Sequence, residues 1–118
     1  MPVVPAARPQ EVVFTDGSSV TTPINLGGAT LVGVYLPPEF DGAELTFQSS
    51  PNPGNGGPWF DVQYDGAELF EAVTAGGYIA VNPAPFIGVN NMRIRSGTAA
   101  APTAQAGDVT LTLMLAEG

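Results

Sequence analysis

Val109-Thr110-Leu111-Thr112-Leu113-Met114-Leu115 decides the fold class. Apolar residues at 109, 111, 113 and 115 recur every second position, with Thr110, Thr112 and Met114 between them. A period of two places the four aliphatic groups on one face of an extended strand. A helix would scatter them around its circumference, and β-branched threonine favours the strand further. Upstream, Met92 and Ile94 alternate with Arg93 and Arg95 in the same way. The connection from Ser96 to Gly107 is rich in small residues and too long for a tight hairpin turn. Burying each inward aliphatic is worth roughly 1.5–3 kcal/mol. That gain needs an opposing sheet, so the strand predicts a sandwich or barrel.

The remaining chain repeats this pattern. Glu11-Val12-Val13-Phe14 reads as a strand closed by Asp16-Gly17, and Ser18–Thr22 as its return, stopped by Pro23. Leu26-Gly27-Gly28 turns into Thr30–Leu36, apolar on both faces as a central strand is, with Gly33 marking a close approach. Glu44–Gln48 alternates with Leu45 and Phe47 inward. Trp59–Tyr64 alternates with Phe60, Val62 and Tyr64 inward, leaving Trp59, Asp61 and Gln63 outward. Asp65-Gly66 makes a hairpin into Glu68–Val73, and Tyr78–Val81 follows Gly76-Gly77. These segments predict an all-β antiparallel β-sandwich, jelly-roll-like, of about eight strands and without long helices. Asp41-Gly42-Ala43-Glu44-Leu45 recurs as Asp65-Gly66-Ala67-Glu68-Leu69, which two independent uses of one favoured turn explain better than a solenoid repeat.

Two units are expected: an extended Pro-rich arm over residues 1–10 and a single sandwich domain over 11–118. It reads either as a frayed chain end or as an arm that orders on a partner through Pro5 and Arg8, and in both readings it is expected to add nothing to the core.

With 118 residues the chain is long enough for a core without staples. It has no cysteine, so no disulfide or thiolate metal site is available, and it has neither histidine nor lysine. Arg8, Arg93 and Arg95 stand against eleven carboxylates for a net charge of −8. Such a balance repels phosphate backbones and argues against nucleic acid. No apolar run is long enough for a bilayer span, and Met1–Ala7 lacks the basic and apolar regions of a secretory signal, so assembly in a cytoplasm is expected.

Without His, Cys or Lys most nucleophilic and acid–base chemistry is closed. Carboxylate pairs for glycoside hydrolysis, Glu44 with Asp61 or Glu68 with Glu71, remain nominal because a small sandwich offers little material for a deep cleft. Asp16, Asp41, Asp61 and Asp65 suit a hard cation by chemistry but lack ligand-loop spacing. Solvated turn aspartates are the plainer reading, and no cofactor is expected. Trp59 follows a Gly/Pro/Asn loop and has three readings: a cover for the sandwich edge, a protein interface anchor, or a sugar-stacking ring. Arg93 and Arg95 share an outward face, where they pair with neighbouring carboxylates or meet another subunit. With Thr110, Thr112 and Met114 they suggest an outward surface, free of lysine, suited to self-association.

The chain also resembles small structural proteins of tailed-bacteriophage virions. The resemblance lies in Thr30–Pro37, in Gly42–Ser50, in Tyr78–Pro83, in Arg93-Ile94-Arg95-Ser96-Gly97-Thr98-Ala99-Ala100-Ala101-Pro102 with Gln105, and in Thr110–Leu113. It spans about residues 24–116. It implies a β-sandwich of the capsid decoration (cement) or head-fibre type that binds the major capsid protein, stabilises the head shell and has no enzymatic role. The expected location is the virion, assembled in the host cytoplasm. A homo-oligomer is expected, a trimer before a dimer, because capsid lattices offer threefold positions. The alternative is a carbohydrate-binding or receptor-contacting tail or fibre module working through Trp59 and nearby acids.

Overall fold

The computed structural model describes residues 7–52, 54 and 57–117. In chain order its strands are β1 (Ala7–Phe14), β2 (Ile24–Asn25), β3 (Thr30–Tyr35), β4 (Glu44–Ser49), β5 (Phe60–Asp61), β6 (Gln63–Tyr64), β7 (Ala67–Glu68), β8 (Phe70–Ala72), β9 (Tyr78–Ala80), β10 (Asn91–Ser96) and β11 (Val109–Ala116). A 3-10 turn lies at Ala84–Phe86, and no α-helix occurs among the described residues. All pairings between these strands are antiparallel.

Two sheets carry the fold. One runs β1-β11-β3-β9, the other β2-β10-β4-β5 with β8 also on β4. The alternation in β11 does what the sequence predicts: Val109, Leu111, Leu113 and Leu115 are buried. They join Val12, Phe14, Leu31 and Val34 from the same sheet and Leu45, Phe47, Met92 and Ile94 from the other in one apolar cluster. The fold is thus an antiparallel, sandwich-like all-β domain. Phe86, from the 3-10 turn, packs edge-on against Phe47 with 4.9 Å between ring centres.

Thr21 joins the sheets where their strands draw together. It bridges to Phe14 of β1, its N–H donates to the Ile94 carbonyl (2.8 Å), and its Oγ1 accepts the Ile94 N–H (2.9 Å). The returning segment expected after Asp16-Gly17 therefore serves both sheets.

The N-terminal reading needs correction. Residues 7–10, expected within an arm, are the first half of β1 and pair in register with residues 113–116 of β11. Pro5 lies outside the described residues. The edge at β1 is compatible with its proline. The Val13 carbonyl accepts the Thr22 N–H, so odd-numbered backbone groups of β1 point away from β11. Pro9 has no N–H to offer there, and the Gln10 side chain donates to the Glu11 carbonyl at 3.2 Å. Both features discourage another strand from adding to this edge.

The stretch 59–64 also departs from expectation. It breaks at Val62 into β5, which pairs with β4, and β6, which pairs with β7 in a separate ribbon. Asp65 (φ 54°) and Gly66 (φ 79°) form the ribbon's turn, and two successive positive φ angles are what a type I′ hairpin demands. Val62 is buried as expected, but Phe60 and Tyr64 are exposed. Phe60 has the inward parity of Val62, yet it stays largely open to solvent at the end of the sheet. Tyr64 leaves with the ribbon.

Candidate functional site

Arg93 and Arg95 do lie on the side of β10 opposite the buried Met92 and Ile94. Pairing of β10 with β4 sets Arg93 beside Gln48 and Arg95 beside Thr46. From there the two diverge. Arg95 is only 7% exposed. Its Nε donates to Thr46 Oγ1 (2.9 Å), and its Nη2 contacts Asp61 Oδ1 (3.0 Å) and Glu68 Oε2 (2.7 Å). The Ala99 N–H donates to the same Glu68 oxygen, so the loop after β10 closes over the group. This is a structural cluster that fastens the β6–β7 ribbon to the sheet. Two of its three nitrogens are thus engaged within the protein, and its side chain is largely covered.

Arg93 stays half-buried. Its Nε donates to Gln48 Oε1 at 2.6 Å, and Gln48 Nε2 donates to Asp61 Oδ1 at 3.0 Å. Its guanidinium carbon lies 4.7 Å from the Trp59 ring centre, a cation–π contact worth about 0.5–1 kcal/mol where solvent reaches it. Burial and the nearby Arg95 lower the Arg93 pKa, against an opposing pull from Asp61. Trp59 does face away from the core, but the arginine takes one of its faces. Of the three readings for Trp59, covering the sheet is the one its contacts match.

Arg8 is engaged at the other end of the molecule. It pairs with Glu117 and donates to the Leu26 carbonyl at 3.4 Å, tying β1 to the end of β11.

The nominated carboxylates have separate duties. Asp61 and Glu68 hold Arg95. Asp41 Oδ2 accepts the Ala106 N–H, and Asp65 sits in the hairpin turn. The Asp16 N–H donates to Asp108 Oδ1. Glu71, on β8, has its pKa raised by burial. Among the described residues no three His, Cys, Asp or Glu side chains are grouped to hold a metal ion.

The segment from Arg95 to Gln105 is architectural in every contact it shows. Gly97 has φ 84°, and a Cβ there would overlap the Ala101 carbonyl. Its N–H donates to the Glu44 carbonyl (2.8 Å), and its own carbonyl accepts Thr46 Oγ1 (2.9 Å). Ser96 Oγ bonds the Thr103 carbonyl. Gln105, almost fully buried, accepts the Asp41 N–H (2.8 Å) and donates to the Asp41 carbonyl (2.7 Å). Hydrophobic patterning could not have found Gln105, since the signal lies in a long-range pairing of amide with backbone.

Two of the surfaces among the described residues bear on binding. The first is the outer face of the sheet β1-β11-β3-β9. In register across the strands it presents Val13 and Thr110, then Glu11, Thr112, Tyr35 and Tyr78, then Pro9, Met114, Gly33 and Ala80, then Ala7, Ala116 and Thr30. Tyr35 and Tyr78 are about half exposed, with ring centres 4.4 Å apart. Of all these residues only Glu11 is charged. The expected surface combining Thr110, Thr112 and Met114 with Arg93 and Arg95 does not exist, because the two groups lie on different sheets. The second is an open cleft at the outer end of the other sheet, lined by Ser49, Ser50, Phe60, Asn90 and Asn91 among others.

In comparison with known proteins, the sequence matches no family model and no curated relative. No helix among the described residues is long and apolar enough to cross a membrane.

Proposed function

We propose that the chain is a structural protein of a bacteriophage virion, a decoration protein that contacts the major capsid protein and stabilises the head shell. The sequence resemblance suggests the class. The observation that carries the reading to this molecule is the outer face of β1-β11-β3-β9. A protein of net charge −8 keeps this broad face almost free of charge and furnishes it with Thr, Met, Ala and a tyrosine pair. Association there desolvates few ions and buries aromatic rings, the combination that favours a protein interface. Because Pro9 and Gln10 obstruct the β1 edge, copies on the shell would meet neighbours through faces and not by strand addition. A homo-oligomer matched to the lattice, a trimer before a dimer, belongs to the same proposal.

The test places charge on the face without touching the core. Thr112→Glu with Ala80→Glu alters two outward positions on separate strands. The double variant should fold, as far-UV circular dichroism would report, and should fail to co-sediment with undecorated heads. Wild-type occupancy by the variant would remove this face from the proposal. The alternative of a sugar-binding module anchored on Trp59 is weakened by the Arg93 guanidinium lying over that ring.

A further inference from the structure

We infer that the cleft beside Phe60 is a binding site for an uncharged glycan, separate from the capsid-facing sheet. The cleft has a volume of about 470 Å³, within the range of small-ligand sites. Ser49 and Ser50 at the end of β4, Phe60 of β5, and Asn90 and Asn91 at the start of β10 line it. Strand pairing brings these together: Ser49 is the register partner of both Phe60 and Met92, so the ends of three strands converge on one opening.

The chemistry of this lining is selective. Phe60 is 58% exposed and stacks on no other aromatic ring among the described residues. An open aromatic ring offers a platform for the apolar C–H face of a pyranose. Among the described residues the side-chain amide of Asn90 makes no hydrogen bond within the protein. That amide presents a donor and an acceptor side by side, the complement of two adjacent sugar hydroxyls. Among the described residues no charged side chain lines the cleft, although the chain carries eleven carboxylates and three arginines. A phosphate or a carboxylated sugar would find no cation there, and a cationic ligand would find no carboxylate. An aromatic platform, a free amide and no charge together select a neutral saccharide.

The experiment is an NMR titration of the 15N-labelled full chain. The probes are neutral mono- to trisaccharides of glucose, galactose, mannose and N-acetylglucosamine, with sialyllactose as the charged control. At least one neutral saccharide should shift the Asn90 side-chain amide signals with saturable, millimolar affinity, and sialyllactose should bind at least 10-fold more weakly. Phe60→Ala and Asn90→Ala should each weaken binding 10-fold or more. Both should keep the wild-type melting temperature, since neither side chain is in the core. Phe60→Leu keeps an apolar group but removes the ring, and should bind as weakly as Phe60→Ala. Undiminished binding in Phe60→Ala, stronger binding of sialyllactose than of any neutral sugar, or no saturable shift from the whole panel would each overturn the inference. Thr112→Glu with Ala80→Glu should bind the saccharide normally, which distinguishes failure of this site from failure of the capsid-facing surface.

Discussion

The Tyr78 hydroxyl occupies the space where a side chain on Gly33 would begin. Gly33 lies on β3 directly beside β9, and its lack of a Cβ lets the Tyr78 ring lie down across the strand and pack against Tyr35. We expect Gly33→Ala to lift that ring off the sheet and cost about 0.5–1.5 kcal/mol, the worth of the aromatic pair. In the Gly33→Ala background, Tyr78→Ala should then cost nearly nothing more. A double-mutant cycle from urea melts reads the coupling, and additive losses would show that the glycine and the tyrosine act separately.

Arg95 and Arg93 should behave very differently on truncation. Arg95→Ala strands Asp61 and Glu68, whose side chains are 34% and 29% exposed, with no cation between them. Breaking a fully buried pair costs about 3–5 kcal/mol, and access of water to both carboxylates should reduce this to about 2–4 kcal/mol. Arg93→Ala removes one hydrogen bond and the Trp59 contact, for about 1–2 kcal/mol. Equal melting temperatures for the two variants would contradict the assignment of Arg95 as the structural cation.

Gln105→Ala should be among the more damaging polar substitutions. Its side chain satisfies both backbone groups of Asp41 from a buried position. Leaving them without partners costs about 1–3 kcal/mol, and cavity formation adds to that. Amide exchange at Asp41 should accelerate together with the loss of stability, and unchanged exchange would show that water replaces the side chain freely.

Glu71 supplies a pH test. Burial raises its pKa in the folded state, so the native protein holds this proton more tightly than the unfolded chain does. Its contribution is therefore most favourable below the ordinary carboxylate range and declines as pH rises through the raised value. Glu71→Gln imitates the protonated form. It should melt higher than wild type at pH 7, and the difference should close as pH falls towards about 4. A difference that grows on acidification would have the wrong sign.

Local residue order determined much of this protein. The alternation of Val109–Leu115, of Leu45 and Phe47, and of Met92 and Ile94 specified strands and their inward faces, since side chains on an extended backbone alternate whatever the surroundings. Asp65-Gly66 specified its hairpin turn because both residues tolerate positive φ. Gly33 announced a close approach, though not that a tyrosine ring would make it.

Tertiary structure decided the rest. Parity says which side of a strand a residue occupies and nothing about what lies above it. Arg95 has the outward parity expected and is buried all the same, because Glu68, 27 residues earlier, and the loop after β10 close over it. Phe60 has inward parity and is exposed all the same, on a strand only two residues long. Arg93 and Thr112 both point outward, but from different sheets, since strand order is set by pairings between segments far apart in sequence. The uncharged sheet face and the cleft at Phe60 are products of those pairings. Each assembles residues from three or more strands, and no single stretch of sequence contains enough of either surface to reveal it.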